Sequence, residues 1–147
     1  MLEAPNHEHF MRMALKEAQR AYDDNEVPIG AVIVADGRII ARGYNLTERL
    51  NDPTAHAEMQ AITAGTEFLG GKYLRDCTLY VTIEPCPMCA GALYWSQITR
   101  IVYGAKDDKR GYSTISSKLL HPKTEVIGGI LAEECGSLVT NFFKKLR

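Results

Sequence analysis

Two short stretches hold residues whose types and spacing suit metal-assisted chemistry. They are His56 and Glu58 in Thr54-Ala55-His56-Ala57-Glu58, and Cys86 and Cys89 in Glu84-Pro85-Cys86-Pro87-Met88-Cys89. One imidazole and two cysteines are ligands that Zn²⁺ prefers, and a catalytic zinc keeps its fourth position for water. Cysteines at i and i+3 share a helix face, so both sulfurs can reach one ion, and a helix N-terminus favours the thiolate form. Glu58 stands where it can carry protons to and from that water. By itself Glu58 reads as a first-turn carboxylate complementing a helix dipole; His56 two residues before it and P-C-x-x-C downstream favour the catalytic role.

A closed structural site would need a fourth ligand. Cys77 is the nearest candidate, but the strand between it and Cys86 spans about 20 Å if extended, which puts it at the wrong end. Cys77 and Cys135 therefore read as small core residues. His7, His9 and His121 have no partner in ligand spacing and read as surface or satisfied core histidines.

The elements that must position these groups follow from periodicity. Phe10, Met13, Ala14, Ala18, Ala21 and Tyr22 recur at helical spacing after Asn6, a capping residue, so residues 8–24 are predicted helical. Residues 29–34 and 38–44 form an antiparallel pair across the Asp36-Gly37 turn signal. Thr54 is expected to cap a helix running to 68, closed by Gly70-Gly71. A buried strand at 78–83 leads to Pro85, expected in the first turn of a helix over 86–96, and a strand at 100–104 follows. Residues 105–123 read as loop with a helical turn near 116–120, then a strand at 124–127. A closing helix at 131–146 turns Leu131, Cys135, Leu138, Val139, Phe142 and Leu146 to one face. Helices alternating with buried strands imply an α/β sheet covered on both faces.

With 147 residues and no internal repeat or linker, the chain is read as one domain, residues 1–147. No apolar run reaches membrane-spanning length, and Met1-Leu2-Glu3-Ala4-Pro5 lacks the basic-then-apolar pattern of a secretory signal, so a cytoplasmic protein without a membrane partner is expected. The net charge is only −1, yet it is unevenly spread: residues 1–99 hold 13 acids and 8 bases, whereas 100–147 hold 5 acids and 9 bases. Arg100, Lys106, Lys109, Arg110, Lys118, Lys123, Lys144, Lys145 and Arg147 are enough for a patch that meets phosphates, although a solvated face is the alternative.

H-x-E…P-C-x-x-C is the pattern of zinc-dependent base deaminases, and the chain resembles the cytidine deaminase-like superfamily, within it the bacterial tRNA-specific adenosine deaminases. The resemblance runs through Glu26-Val27-Pro28-Ile29-Gly30-Ala31, Gly43-Tyr44-Asn45, Asp52 to Glu58, Thr78 to Thr82, Glu84 to Cys86, Met88 to Ala92, Tyr103 to Asp107 and Asn141 to Lys145. It implies a three-layer α/β/α fold with a central mixed five-stranded sheet. It further implies a homodimer with one zinc per subunit, acting on the wobble adenosine of a tRNA anticodon loop. His56, Cys86 and Cys89 would be the ligands and Glu58 the proton shuttle. Asn45 would hold the purine edge, Val27, Pro28 and Ala57 would line the base pocket, and Asp107 would touch a neighbouring ribose. Phe142, Phe143 and Lys144 would contact the loop.

Two features depart from the family pattern: Pro87 stands where an aliphatic residue is usual, and the loop after Asp107 is short. The short loop keeps open a second reading, a deaminase of a free base or nucleoside such as guanine, adenine or cytosine. A zinc-stabilised binding module without turnover is the non-enzymatic alternative, disfavoured by the three-ligand count and Glu58.

Overall fold

The computed structural model describes residues 6–146; Met1–Pro5, on which the signal-segment reading rested, and Arg147 lie outside them. The chain runs α1 (His7–Asp23), β1 (Gly30–Ala35), β2 (Arg38–Tyr44), α2 (Ala57–Leu69), β3 (Cys77–Ile83), α3 (Pro87–Ser96), β4 (Arg100–Ala105), β5 (Glu125–Ile127) and α4 (Ala132–Lys145). Single 3₁₀ turns at Tyr112–Thr114 and Ser117–Leu119 lie between β4 and β5, and only the second was expected from sequence.

The strands form one mixed sheet in the order β2-β1-β3-β4-β5. β1 is antiparallel to β2 and β3, whereas β3, β4 and β5 are parallel. Asp36 and Gly37, with φ of 52° and 74°, form the two-residue turn that Asp-Gly signals. Both faces of β3 are buried. Leu79 and Val81 join the α2/α3 core with Ala57, Ala61, Ala90 and Leu93. Tyr80 joins the α1/α4 core with Met11, Ala14, Val32, Val102 and Cys135. This is the expected three-layer α/β/α arrangement. Among the described residues no helix is long and apolar enough to cross a membrane.

Asn6 caps α1 as expected, accepting from His9 N–H at 3.0 Å. The other boundaries shift where local chemistry competes. Thr54 does not cap α2: its N–H and hydroxyl both bond Asp52 Oδ1, at 2.8 and 2.7 Å, and His56 becomes the N-cap. Pro87, not Pro85, occupies the first turn of α3, with Cys86 as N-cap. Leu146, expected on the buried face of α4, is 61% exposed. Gly43 lets α2 approach closely, because a Cβ there would collide with the backbone of Ala57 and Ala61. The first turn of α2 is thereby seated directly on β2.

Because β1 and β2 run antiparallel to each other and β3 lies antiparallel to β1, one edge of the sheet gathers four connections. These are the entry to β1 at Val27–Ile29, the exit of β2 at Asn45, the exit of β3 at Glu84–Cys86 and the exit of β4 at Lys106–Asp107. Crevices at the carboxyl ends of parallel strands, where the connections diverge, are where such sheets bind ligands.

Candidate active site

His56 and Cys86 are the N-caps of α2 and α3, and Cys89 lies one turn into α3. Neither side chain makes a capping hydrogen bond, and the two face each other. His56 Nδ1 lies 3.6 Å from Cys86 Sγ and 3.5 Å from Cys89 Sγ. Zn–S bonds of about 2.3 Å and a Zn–N bond of about 2.0–2.1 Å at a tetrahedral angle separate N from S by about 3.6 Å. Both N–S separations thus already match a tetrahedral zinc site, and all three donor atoms lie within 4.8 Å of one another. Among the described residues this trio is the one group of three or more potential ligands within reach of a single ion. Cys77, at the far end of β3, and Cys135 are buried free thiols away from it.

The trio favours loss of a first proton. Donation from the Cys89 thiol, and next the neighbouring His56, pull the Cys86 thiol down to about 4 against the opposing effect of burial. The Cys89 thiol is pushed up because it supplies that bond and is itself buried. The bond to Cys86 raises His56. Glu58, in the first turn of α2 and only 4% exposed, is pushed up to about 7, chiefly by burial. A carboxyl poised near neutrality can both take and give a proton.

His56, Glu58 and Cys86 open into a cavity of about 700 Å³, whose walls include Val27, Asn45, Ala57, Glu84, Asp107 and Phe143. That is ample for a nucleoside-sized ligand. Asn45 is buried, and its Oδ1 accepts from Thr47 N–H at 3.4 Å. Asp107 Oδ1 accepts the amides of Lys109 and Arg110 at 3.1 and 2.9 Å, an Asx-type turn at the rim, where Lys106, Lys109 and Arg110 also stand. Pro28, Phe142 and Lys144 do not border this cavity. Pro28 is buried, Phe142 packs edge-on against Tyr22 at 5.7 Å between centroids, and Lys144 is exposed. An adjoining cleft of about 670 Å³ shares Val27 and Phe143 and is walled by Asp24, Arg49 and Phe142.

Two of the buried carboxylates that received no role from sequence, Glu26 and Glu84, flank the site. Glu26 accepts the amides of Glu48 and Arg49 at 3.0 and 2.8 Å, fixing the segment between Asn45 and His56. Glu84 accepts from Asp107 and Ser113 on the opposite side. For Glu84 the available signal was an acid at the end of an apolar stretch beside a ligand motif; its partners were visible only in three dimensions.

The mixed sheet, the His/Cys/Cys donor set and the buried glutamate define a zinc-dependent deaminase, and residues 4–105 match the family model for the cytidine and deoxycytidylate deaminase zinc-binding region. A tRNA-specific adenosine deaminase of Bacillus subtilis (strain 168) is 47% identical over 145 residues, covering 95% of this chain and 90% of that protein. A solved structure from a study of A-to-I editing by tRNA:A34 deaminases at the wobble position superimposes with a TM-score of 0.82 at 44% identity, over 88% of this chain and 98% of the other. A guanine deaminase structure from Bacillus subtilis gives 0.67 at 42% identity, over 77% and 71%. The chain belongs to the cytidine and deoxycytidylate deaminase family and, within it, to the tRNA-specific adenosine deaminases.

Proposed function

We propose that this protein converts the wobble adenosine of a tRNA anticodon to inosine and releases ammonia. The observation that carries the reading is one cavity joining His56, Cys86 and Glu58 to a rim bearing Lys106, Lys109 and Arg110. Relatives 42–47% identical over 95% of the chain, named tRNA-specific adenosine deaminases, support it.

His56 Nδ1, Cys86 Sγ and Cys89 Sγ would hold the zinc, which when bound lowers the pKa of a coordinated water from 15.7 towards about 7. Glu58 takes one proton of the attacking water and passes it to the ring nitrogen beside the attacked carbon; it then takes the second from the hydroxyl formed on that carbon and delivers it to the departing amine. In sum, the C–NH₂ group and water become C=O and ammonia. Asn45 holds the purine edge by hydrogen bonding, while Val27 and Ala57 pack against the base with Pro28 behind the wall. Asp107 meets the ribose of a neighbouring nucleotide, where a 2′-OH marks RNA. Phe143 borders the same cavity, and Phe142 and Lys144 steady its helix and the phosphates nearby.

Incubation with an anticodon stem-loop bearing a wobble adenosine, in parallel with free guanine, adenine and cytosine, tests the substrate. Inosine in the stem-loop and little ammonia from free bases are expected. Rapid turnover of guanine with an unmodified stem-loop would transfer the function to the free-base reading that the guanine deaminase likeness favours. Reversing charge at Lys106, Lys109 and Arg110 should weaken stem-loop binding and flatten its dependence on salt, by about 0.7 per lost phosphate contact in a plot of log K against log salt concentration. An unchanged slope would remove this rim from RNA binding.

A homodimer working in the cytoplasm completes the proposal. On α3, Leu93 is fully buried, but Met88 and Trp95 are 37% and 78% exposed. They lie seven residues apart, on one helix face with Gly91 and Ala92 between them, a flat apolar stripe suited to a second copy. Light scattering should report a dimer for the native chain and a monomer for Trp95→Asp; a native monomer contradicts the assembly.

A further inference from the structure

Glu84 directly precedes the Pro85-Cys86 metal loop and is 3% exposed. A buried carboxylate must be compensated by a cation or by hydrogen bonds. Among the described residues no salt bridge involves it. Its compensation comes from the loop after β4. Oε1 accepts from Asp107 N–H at 3.1 Å, and Oε2 accepts from Ser113 N–H at 3.0 Å and from the Ser113 hydroxyl at 2.6 Å. One carboxylate therefore grips both ends of the loop, a different oxygen for each.

The loop between those ends is braced on the same framework. Gly111 N–H donates to Asp107 C=O at 2.9 Å, and Tyr112 N–H donates to Pro85 C=O at 2.8 Å, beside Cys86. Asp107 in turn holds the amides of Lys109 and Arg110. Gly111 packs so closely on the Glu84 carboxylate that a Cβ would overlap it. Its φ of −65° and ψ of 148° suit any residue, so the demand for glycine there comes from Glu84 and not from the backbone.

We propose that Glu84 is a positioning residue for the substrate: by clamping Asp107 and Ser113 it fixes the rim loop in the shape that receives the polynucleotide, and it acts through that loop instead of on the reacting base. The substrate half of this statement rests on the tRNA reading above; the clamp itself does not. Free carboxylate is required, because Gln at this position turns an N–H donor towards either Asp107 or Ser113, both of which also donate.

Three variants of the zinc-loaded protein test it: Glu84→Gln, Gly111→Ala, and Ser113→Ala, which removes only the hydroxyl bond. Each is followed by zinc content, steady-state kinetics on the stem-loop and amide hydrogen exchange. Charge-assisted hydrogen bonds are strong enough that Glu84→Gln is expected to raise KM about tenfold or more, with kcat within about threefold of native and zinc unchanged. Exchange at the Asp107 and Ser113 amides should accelerate by a similar factor. Gly111→Ala should reproduce both effects from the loop side, and Ser113→Ala should show a smaller version. Native KM and native exchange in Glu84→Gln and Gly111→Ala would overturn the proposal, as would a fall in zinc content and kcat at constant KM, which would assign Glu84 to the metal loop. Exchange needs no substrate, so failure of the native protein to deaminate the stem-loop would sink the tRNA reading while the Asp107 and Ser113 amides still decide the clamp.

Discussion

Glu58→Gln is expected to retain zinc and to lower kcat by about 10²–10⁴-fold, the range that one well-placed proton carrier contributes. Glu58 is buried in the first turn of α2, two residues beyond His56, and burial holds its carboxyl near neutrality, at about 7. Glutamine keeps the shape and fills the same space but cannot accept the proton of the attacking water or return one to the leaving amine. It leaves His56, Cys86 and Cys89 untouched, so metal content measured by atomic absorption should stay at the native level while single-turnover formation of inosine slows. If zinc remains and turnover stays near normal, Glu58 merely complements the positive end of α2, and another group must move the proton.

The donor set was legible in sequence because it is local: H-x-E and P-C-x-x-C each sit within one helical turn, where spacing alone decides which groups share a face. The sheet was legible in outline because β1 and β3 are short β-branched runs bounded by turn residues. Boundaries failed where two local devices competed for one residue. Thr54 has the chemistry of a cap, but Asp52 offers a nearer acceptor, so the helix begins three residues after it. Pro85 and Pro87 both suit a first turn; the helix begins at Pro87, with Cys86 as its N-cap facing His56.

Other features depend on pairing across distance. Met88, Leu93 and Trp95 are all apolar, and sequence could not say that Leu93 points into the α2/α3 core while Met88 and Trp95 point out. Glu84 is the sharpest case: the residues that satisfy it lie 23 and 29 positions away, in a loop whose composition suggests only polarity. The site's chemistry is written in adjacent residues, whereas the wall that admits a particular substrate is written in contacts between β3 and the segment after β4.

Cys89→Ala is the complementary test, directed at the metal. Cys89 Sγ is fully buried and stands 3.5 Å from His56 Nδ1, so no water or surface group can replace it without rearrangement. Structural zinc sites bind with roughly 10–16 kcal/mol, or about 2.5–4 kcal/mol per ligand if shared among four. Losing one thiolate should weaken zinc binding by about 10²–10³-fold, with deaminase activity falling in step and partly regained at high zinc concentration. The fold should survive, because α2 and α3 are already joined through Ala57, Ala61, Ala90 and Leu93, so the melting transition should remain cooperative. Cys77→Ala is the paired control. Cys77 is equally buried but begins β3, at the opposite end from Cys86, and its loss should leave zinc content and turnover unchanged. An equal loss of zinc in both variants would mean that Cys77 reaches the metal and the site is a closed four-ligand clip; loss in Cys89→Ala alone leaves one position open, which hydrolytic chemistry requires.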